Sequence, residues 1–301
     1  MNLSEQELME YNRVGLIPGP AETEQEFLKR AAYCLDLKNQ IPRMLAHELP
    51  FATEEIHSTE EILKAGCENA RALYDIFPTW VPLFFSNYKL SFWHGGCAWI
   101  FQQTQNSPTS AFFQLRQNFR NSKKYLGIYD RDELISHELS HVGRMMFEES
   151  KFEEILAYRS SKSFFRRFFG PIVQSSYEST IFVLALFILI VLDFFVLTNG
   201  PIDSFNLIFM GRILVLCLIG YGIARLWLRQ TQFKTCLKKL RKTLQDPHYA
   251  DAVIYRLTDK EICSFSRQTP EEINHYADEQ KTKTIRWKMI QDVYFKIKGH
   301  P

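Results

Sequence analysis

Two apolar stretches dominate the pattern of hydrophobic and polar positions. Residues 180–197 contain a single charged residue, Asp193, and residues 207–228 contain Arg212 and, near their end, Arg225. Each stretch is close to the ~20 residues that a helix needs to cross the hydrocarbon core of a bilayer. We therefore predict a transmembrane helical hairpin. The alternative is a buried pair of helices in a large soluble core.

Charged residues around the hairpin predict its orientation. Lys and Arg flank both stretches, with Arg159, Lys162, Arg166 and Arg167 before the first and Arg229, Lys234, Lys238, Lys239, Arg241 and Lys242 after the second. The connection, residues 198–206, contains neither Lys nor Arg. The positive-inside rule then places both termini in the cytoplasm. The expected location is a membrane crossed twice, a bacterial inner membrane, with the lipid bilayer as a partner.

The two charges inside the apolar stretches lie at similar distances from the middle of the connection. In an antiparallel hairpin Asp193 and Arg212 would therefore lie at similar depth. Because an isolated charge in a bilayer costs a few kcal/mol, we predict that the two side chains pair. The alternative is that Arg212 extends to the lipid headgroups while Asp193 lies near the interface.

Before the hairpin the pattern is that of a folded α+β domain. Helices are predicted at residues 23–37 and 58–76, the second with Ser58 and Glu61 as a capping box. A β-hairpin is predicted from residues 87–93 and 97–102, followed by strands at 111–119 and 125–129. After the hairpin the chain is predicted to be helical, with a helix starting at Thr269. The predicted units are a cytoplasmic domain (1–160), a juxtamembrane segment (161–179), the hairpin (180–228) and a cytoplasmic helical segment (229–301).

Composition narrows the functional classes. The 301 residues include 36 Lys and Arg against 34 Asp and Glu, for a net charge of +2, and 14% are aromatic. These values exclude a disordered chain and argue against a nucleic-acid binder. The six cysteines form no C-x-x-C pair, which fits a reducing compartment. The N-terminal residues are acidic and lack the apolar segment of a signal peptide.

One short motif carries chemistry. Residues 137–141 read His-Glu-Leu-Ser-His, with Asp130 and Glu133 as a helix-start signal just before them. On a helix, His137 and His141 lie one turn apart on one face, so both can reach one Zn²⁺. Glu138 lies beside them, where its carboxylate can approach a water on the metal. The opposite stripe is apolar and suited to packing on a sheet, and consists of Ile135, Leu139, Val142 and Met146.

A catalytic zinc needs a third protein ligand and an open position. The segment after His141 supplies four candidate carboxylates, those of Glu148, Glu149, Glu153 and Glu154. Ser150 can cap a second helix whose apolar face is Phe152, Ile155 and Leu156. Glu154 points away from that face, and a helical return would bring it over the two histidines.

The motif resembles that of the gluzincin type of zincin metallopeptidases, in which H-E-x-x-H is followed by a glutamate in an E-x-x-A context. Glu154-Ile155-Leu156-Ala157 is similar to that second element, and the hairpin is similar to the membrane spans of peptidase family M48. The resemblance implies a zincin-like fold, with a small sheet packed on the helix that carries the motif. It implies His137, His141 and Glu154 as zinc ligands and Glu138 as the general base. The interval from His141 to Glu154 is shorter than in most gluzincins, which leaves Glu148, Glu149 and Glu153 as rival ligands.

The function expected from this resemblance is that of a membrane-anchored zinc endopeptidase acting on protein or peptide substrates near the bilayer. Tyr158, His94 and Tyr129 are candidates for stabilising the oxyanion, and the strand at residues 111–119 is a candidate for pairing with an extended substrate. A second hypothesis is a non-enzymatic membrane-hairpin protein whose cytoplasmic domains bind a partner. Zinc content distinguishes the two.

Overall fold

The computed structural model describes residues 3–44, 59–102, 107–172, 176–199 and 204–295, and the architecture is mixed α and β, mostly helical. Its α-helices are α1 (Glu5–Arg13), α2 (Glu24–Met44), α3 (Glu60–Tyr74), α4 (Arg131–Gly143), α5 (Glu153–Ala157), α6 (Phe164–Phe169), α7 (Ser176–Asn199), α8 (Ser204–Leu244), α9 (Pro247–Tyr255), α10 (Asp259–Phe265), α11 (Pro270–Lys281) and α12 (Ile285–Ile290). The predicted start of α11 is confirmed, because Thr269 and Glu272 form a capping box. Helix α3 begins after Thr59, and Ser58 lies outside the described residues.

Three of the strands form one small sheet, and two form a hairpin. The strands are β1 (Leu83–Phe85), β2 (Gly96–Phe101), β3 (Ser110–Leu115), β4 (Lys124–Tyr125) and β5 (Tyr129–Asp130). The sheet order is β1-β3-β2, with β3 parallel to β1 and antiparallel to β2. Strand β3 is therefore central, and all six of its residues are buried. Strands β4 and β5 pair with each other immediately before α4.

The predicted strand at residues 87–93 is wrong. This segment is a loop containing a turn, with Lys89 at a left-handed φ of 52°. Side chains, and not a neighbouring strand, bond several of its carbonyl groups: Gln114 donates to Tyr88 at 3.0 Å, Arg116 to Leu90 at 3.3 Å and Tyr125 to Phe92 at 2.5 Å. The strand predicted at 111–119 is also shorter than expected, because Gln117–Arg120 forms a 3₁₀ turn.

Two adjoining hydrophobic clusters form the core. The first joins helices α1 to α4 to the sheet, through residues such as Phe27, Phe113 and Leu139. The second joins the end of α8 to the C-terminal helices and to α5, through residues such as Leu240 and Trp287. The C-terminal segment therefore packs against the part of the chain that carries the histidine motif.

Helices α7 and α8 are both long and apolar enough to cross a membrane, over Tyr177–Thr198 and within Phe209–Leu244. Their large apolar side chains are exposed, as at Phe194 (72%), which does not fit a buried helix pair in a soluble core. Asp193 and Arg212 form an ion pair, with the Arg212 guanidinium 2.9 and 3.1 Å from the two carboxylate oxygens. The predicted pairing is confirmed. Helix α8 continues well past the apolar stretch, and its last turns belong to the second core cluster.

Candidate metal centre

Helix α4 presents the two histidines as its sequence predicts. The Asp130 carboxylate caps the helix by accepting a hydrogen bond from the backbone N–H of Glu133 at 3.2 Å. Ile135 and Leu139 are fully buried on the core face. His137 and His141 project from the other side and remain partly exposed, with their ring centroids 5.1 Å apart.

Close packing fixes the position of α4. A Cβ atom on Gly66 of α3 would lie 2.2 Å from Ile135 Cγ2, so only glycine permits this approach of the two helices. At the other end of α4, the Tyr255 hydroxyl donates to the backbone carbonyl of Ser140 at 2.7 Å. A Cβ on Gly143 would lie 2.2 Å from that hydroxyl oxygen. The helix is thus held between α3 and the C-terminal segment.

Glu154 of α5 lies opposite both imidazole rings. Its two carboxylate oxygens are 3.8 Å from His137 Nε2 and 3.6 Å from His141 Nε2. The ligand atoms of the three residues lie within 4.8 Å of one another. At metal–ligand distances of about 2.0–2.2 Å, a tetrahedral zinc site separates its ligand atoms by about 3.4 Å. The donor set and its spacing therefore fit zinc after small side-chain adjustments.

The second nitrogen of one imidazole is held by a carboxylate: His141 Nδ1 lies 3.1 Å from Glu153 Oε1. Glu153 is itself fixed, because its Oε2 accepts a hydrogen bond from Arg144 Nε at 2.7 Å. Partners of this kind orient the histidine ligands of metal sites.

The four candidate carboxylates make different contacts in the structure. Glu154 faces both rings, whereas Glu153 contacts the far nitrogen of His141. Glu149 accepts a hydrogen bond from the backbone N–H of Asp259 at 2.6 Å, and Glu148 lines the cleft with its side chain exposed. The geometry therefore favours Glu154 as the third ligand.

Residues from the C-terminal segment hold the start of α5. The predicted cap by Ser150 is wrong, because the Asp259 carboxylate accepts hydrogen bonds from the backbone N–H groups of Lys151 and Phe152 at 2.8 and 3.3 Å. Phe152, Ile155 and Leu156 are buried, as predicted. Nothing local in the sequence indicates the contribution of Asp259, which lies more than a hundred residues further along the chain.

Glu138 lines the same cleft as His141. Its Oε2 accepts a hydrogen bond from the backbone N–H of Ala98 in β2 at 2.8 Å. The cleft has a volume of about 440 Å³ and is lined by Glu138, His141 and Glu153 among others. Burial raises the pKa of Glu138 to about 7. A carboxylate with this pKa is suited to accepting and releasing a proton near neutral pH.

The environments of the two histidines differ. Burial and the nearby charge of His141 hold the pKa of His137 well below its usual range. Burial alone would lower the pKa of His141 as well, but its hydrogen bond to Glu153 and the charges of Glu153 and Glu154 raise it to about 9. His137 is thus neutral at pH 7, the state in which an imidazole binds a metal.

The strand beside the cleft is β2. The expectation that residues 111–119 would form the substrate-pairing edge is wrong, because β3 lies between β1 and β2 in the sheet. Among the described residues, β2 pairs with β3 alone and so forms one edge of the sheet. Ala98 and Ile100 of β2 line the cleft. An extended peptide can add to such an edge through main-chain hydrogen bonds.

Of the three oxyanion candidates, Tyr158 contacts the metal-binding group. Its ring packs edge-on against that of His137, with centroids 4.7 Å apart. Burial raises the pKa of Tyr158 to about 12, so that its hydroxyl is a donor at neutral pH. Tyr129 packs against Arg166, and the exposed His94 packs against Trp93.

Sequence reasoning missed two contributors, the backbone N–H of Ala98 and the side chain of Arg144. Arg144 lies three positions after His141, a spacing that places both on one face of a helix and that could have indicated the link. The contact of Ala98 depends on how the sheet packs against α4, for which the sequence carries no signal.

Comparison of the chain with known protein families, with curated proteins and with solved structures gives no match. The geometry of the site is therefore the basis on which a function can be assigned.

Proposed function

We propose that this chain is a membrane-anchored, zinc-dependent endopeptidase whose site faces the cytoplasm. The observation that carries the proposal is the position of Glu154, whose two oxygens lie opposite the Nε2 atoms of His137 and His141 at 3.8 and 3.6 Å. Two imidazoles and one carboxylate are a ligand set of catalytic zinc sites, which keep a further position open for water or substrate. The cleft beside them supports such an open position.

The three ligands would hold one Zn²⁺, which lowers the pKa of bound water and polarises a carbonyl when present. Glu138 is the proton carrier in this proposal: its carboxylate accepts a proton from the attacking water and passes it to the leaving amine. Glu153 and Arg144 keep His141 oriented. Tyr158 is the candidate donor to the developing oxyanion.

The substrate in this proposal is an extended protein or peptide segment that adds to the free edge of β2. Ile100 lines the cleft two positions beyond Ala98, so its main chain has the same orientation in the strand. The Ala98 N–H already bonds Glu138, which links the edge strand to the proton carrier. A segment lying there would pass over the metal-binding group.

The anchoring part of the proposal is supported by helices α7 and α8, by their exposed apolar side chains and by the ion pair of Asp193 with Arg212. The basic residues on both flanks of the two helices favour the cytoplasm for both termini. In this proposal the site lies on the same side of the membrane as the termini, because α8 runs directly into the second core cluster, which also contains residues of α5.

Metal content tests the proposal. Purified full-length protein should contain about one zinc per chain, and His137→Ala and His141→Ala should each lose it. His94→Ala is the matched control, since His94 lies outside the metal-binding group, and should retain zinc. Wild-type protein without bound zinc after exposure to the ion would overturn the proposal and favour the partner-binding hairpin protein.

A further variant separates catalytic from structural zinc. Glu138→Gln should keep the metal and lose peptide cleavage, because the amide cannot accept the proton. Retained cleavage by Glu138→Gln would show that the base is another group.

A further inference from the structure

We propose that the protein carries a second membrane contact, a surface next to the hairpin that inserts into the interface of an anionic lipid leaflet. We call this surface the apolar rim. It consists of Phe92, Trp93, Leu126, Ile128, Phe164 and Phe165. The proposal rests on the membrane hairpin of the proposed function and does not depend on catalysis.

The rim side chains are large, apolar and exposed. Phe92 is 68% exposed, Ile128 60% and Phe164 74%, and the other three are more than half exposed. They come from three segments that are distant in sequence: the loop 86–95, residues 116–129, which run through β4 to the start of β5, and residues 161–172 around α6. A group of exposed large apolar side chains of this kind marks an interaction surface.

Hydrogen bonds join the three segments into one surface. The Tyr125 hydroxyl donates to the carbonyl of Phe92 at 2.5 Å, which ties the β4–β5 hairpin to the first loop. Arg166 donates to the carbonyl of Ile128 at 2.9 Å, which ties α6 to the same hairpin. The rim is therefore a fixed arrangement and not a set of unrelated exposed residues.

The rim is continuous with the helices that the proposed function places in the bilayer. Residues 161–172 lead towards α7, and Arg225 of α8 donates to the carbonyl of Ile172 at 3.2 Å. The distance from the membrane to the site can be measured along α8. Its exposed apolar side chains end at Leu228, and five residues later Phe233 packs on Phe152, which is next to Glu153. At 1.5 Å per residue, this is about 7.5 Å along the helix axis. The metal-binding group thus lies close to the level at which α8 would leave the membrane, and Ile172, which ends the segment carrying Phe164 and Phe165, contacts Arg225 of the same helix.

The charge around the rim identifies the partner as anionic lipid. Residues 86–95, 116–129 and 161–172 contain no Asp or Glu and eight cations, which are Lys89, Arg116, Arg120, Lys123, Lys124, Lys162, Arg166 and Arg167. The acidic groups next to them are Asp130, which caps α4, and Glu133, which lies 3.5 Å from Arg166. The whole chain has a net charge of only +2, so this surface is a local concentration of positive charge. Aromatic and aliphatic side chains surrounded by Lys and Arg are the composition of elements that lie in the interface of a leaflet with anionic headgroups.

Fluorescence quenching by brominated lipid tests the rim. Full-length protein is reconstituted into vesicles of phosphatidylcholine and phosphatidylglycerol, with bromine atoms near the headgroup end of the acyl chains. The fluorescence of each tryptophan is obtained by subtracting the fluorescence of its Trp→Phe variant from that of the wild type. Trp93→Phe reports the rim, Trp227→Phe reports the hairpin, and Trp80→Phe reports a buried site in the first core cluster.

We expect the Trp93 and Trp227 signals to be quenched, each about twofold or more relative to the buried Trp80, because both rings would contact acyl chains. Ile128→Asp should lower the quenching of Trp93 and leave that of Trp227 unchanged. Quenching of Trp227 without Trp93 would overturn the rim and leave the membrane hairpin standing. Quenching of neither would overturn both, whatever the peptidase activity.

Discussion

Glu153 Oε1 lies 3.1 Å from His141 Nδ1, while the neighbouring carboxylate of Glu154 faces the other nitrogen of the same ring at 3.6 Å. Two adjacent glutamates therefore contact one imidazole from opposite sides. One is placed to bind a metal and the other to orient the histidine that binds it.

Substitution of the two glutamates should separate these roles. Glu154→Gln should abolish stoichiometric zinc binding, whereas Glu153→Gln should weaken it by about 10–100-fold, the usual effect of losing a partner of a ligating histidine. Competition with a chromogenic zinc chelator measures both affinities. Glu148→Gln is the control and should bind zinc as the wild type does. Equal loss in Glu153→Gln and Glu154→Gln would contradict the division of roles.

Tyr158→Phe tests the candidate oxyanion donor. The variant keeps the ring that packs on His137 and removes only the hydroxyl. We expect zinc content to be unchanged and kcat to fall by about 10²-fold, as for the loss of one oxyanion donor in other enzymes. Tyr129→Phe is the matched control. If Tyr158→Phe changed KM or zinc content with kcat unaffected, the hydroxyl would have a structural role.

The sequence was informative where a short local pattern determines the structure. The cap at Asp130, the apolar stripe containing Leu139 and the common face of the two histidines all follow from spacing along one helix, and the structure contains them. The pairing of Asp193 with Arg212 followed from their similar distances to the middle of the connection between the two apolar stretches.

Prediction failed where contacts distant in sequence decide the structure. Residues 87–93 alternate like a strand, but the side chains of Gln114, Arg116 and Tyr125 bond several of their carbonyl groups and the segment forms a loop. The choice between Glu153 and Glu154 depends on how α5 returns over α4, and Asp259 helps to fix that return. The order of strands in the sheet, which makes β2 the edge, is likewise a tertiary property.

Gly66→Ala should disturb the packing that positions α4. The added Cβ would lie 2.2 Å from Ile135 Cγ2, so one of the two helices must shift. We expect a loss of about 1–3 kcal/mol in the free energy of unfolding, the range for overpacked cores, and weaker zinc binding. Gly220→Ala, with no atom near its Cβ position, is the control. In an Ile135→Ala background the effect of Gly66→Ala should shrink, because the residues are in direct contact.

The ion pair in the apolar helices predicts non-additive substitutions. Asp193→Leu leaves Arg212 without its carboxylate partner, and Arg212→Leu leaves Asp193 without its guanidinium. Each single variant should lower the thermal stability of protein in lipid nanodiscs, because an unpaired charge in a bilayer costs about 2.5–3.5 kcal/mol. The loss of thermal stability in the double variant should be smaller than the sum of the losses in the two single variants. Additive losses would show that the two charges act independently.

Glu261 predicts loss of stability in acid. Burial alone would raise its pKa, but the charge and hydrogen bonds of Arg286, with further hydrogen bonds from Thr258 and Trp287, hold the pKa of Glu261 below its usual range. A carboxylate with a lowered folded-state pKa stabilises the fold above its unfolded-state pKa of about 4.3, and this contribution is lost as the pH falls through the folded-state value.

Glu261→Gln should therefore be destabilised at pH 7, by about 3–5 kcal/mol because it leaves Arg286 buried without its counter-charge. The difference between the variant and wild type should narrow as the pH is lowered below about 4.3, where Glu261 of the unfolded chain becomes protonated, and should stop narrowing below the lower pKa of folded Glu261. Thermal unfolding in detergent from neutral to acidic pH measures this, with exposed Glu271→Gln of α11 as the control. A difference that stayed constant over the whole range would show that Glu261 contributes through its shape and not through its charge.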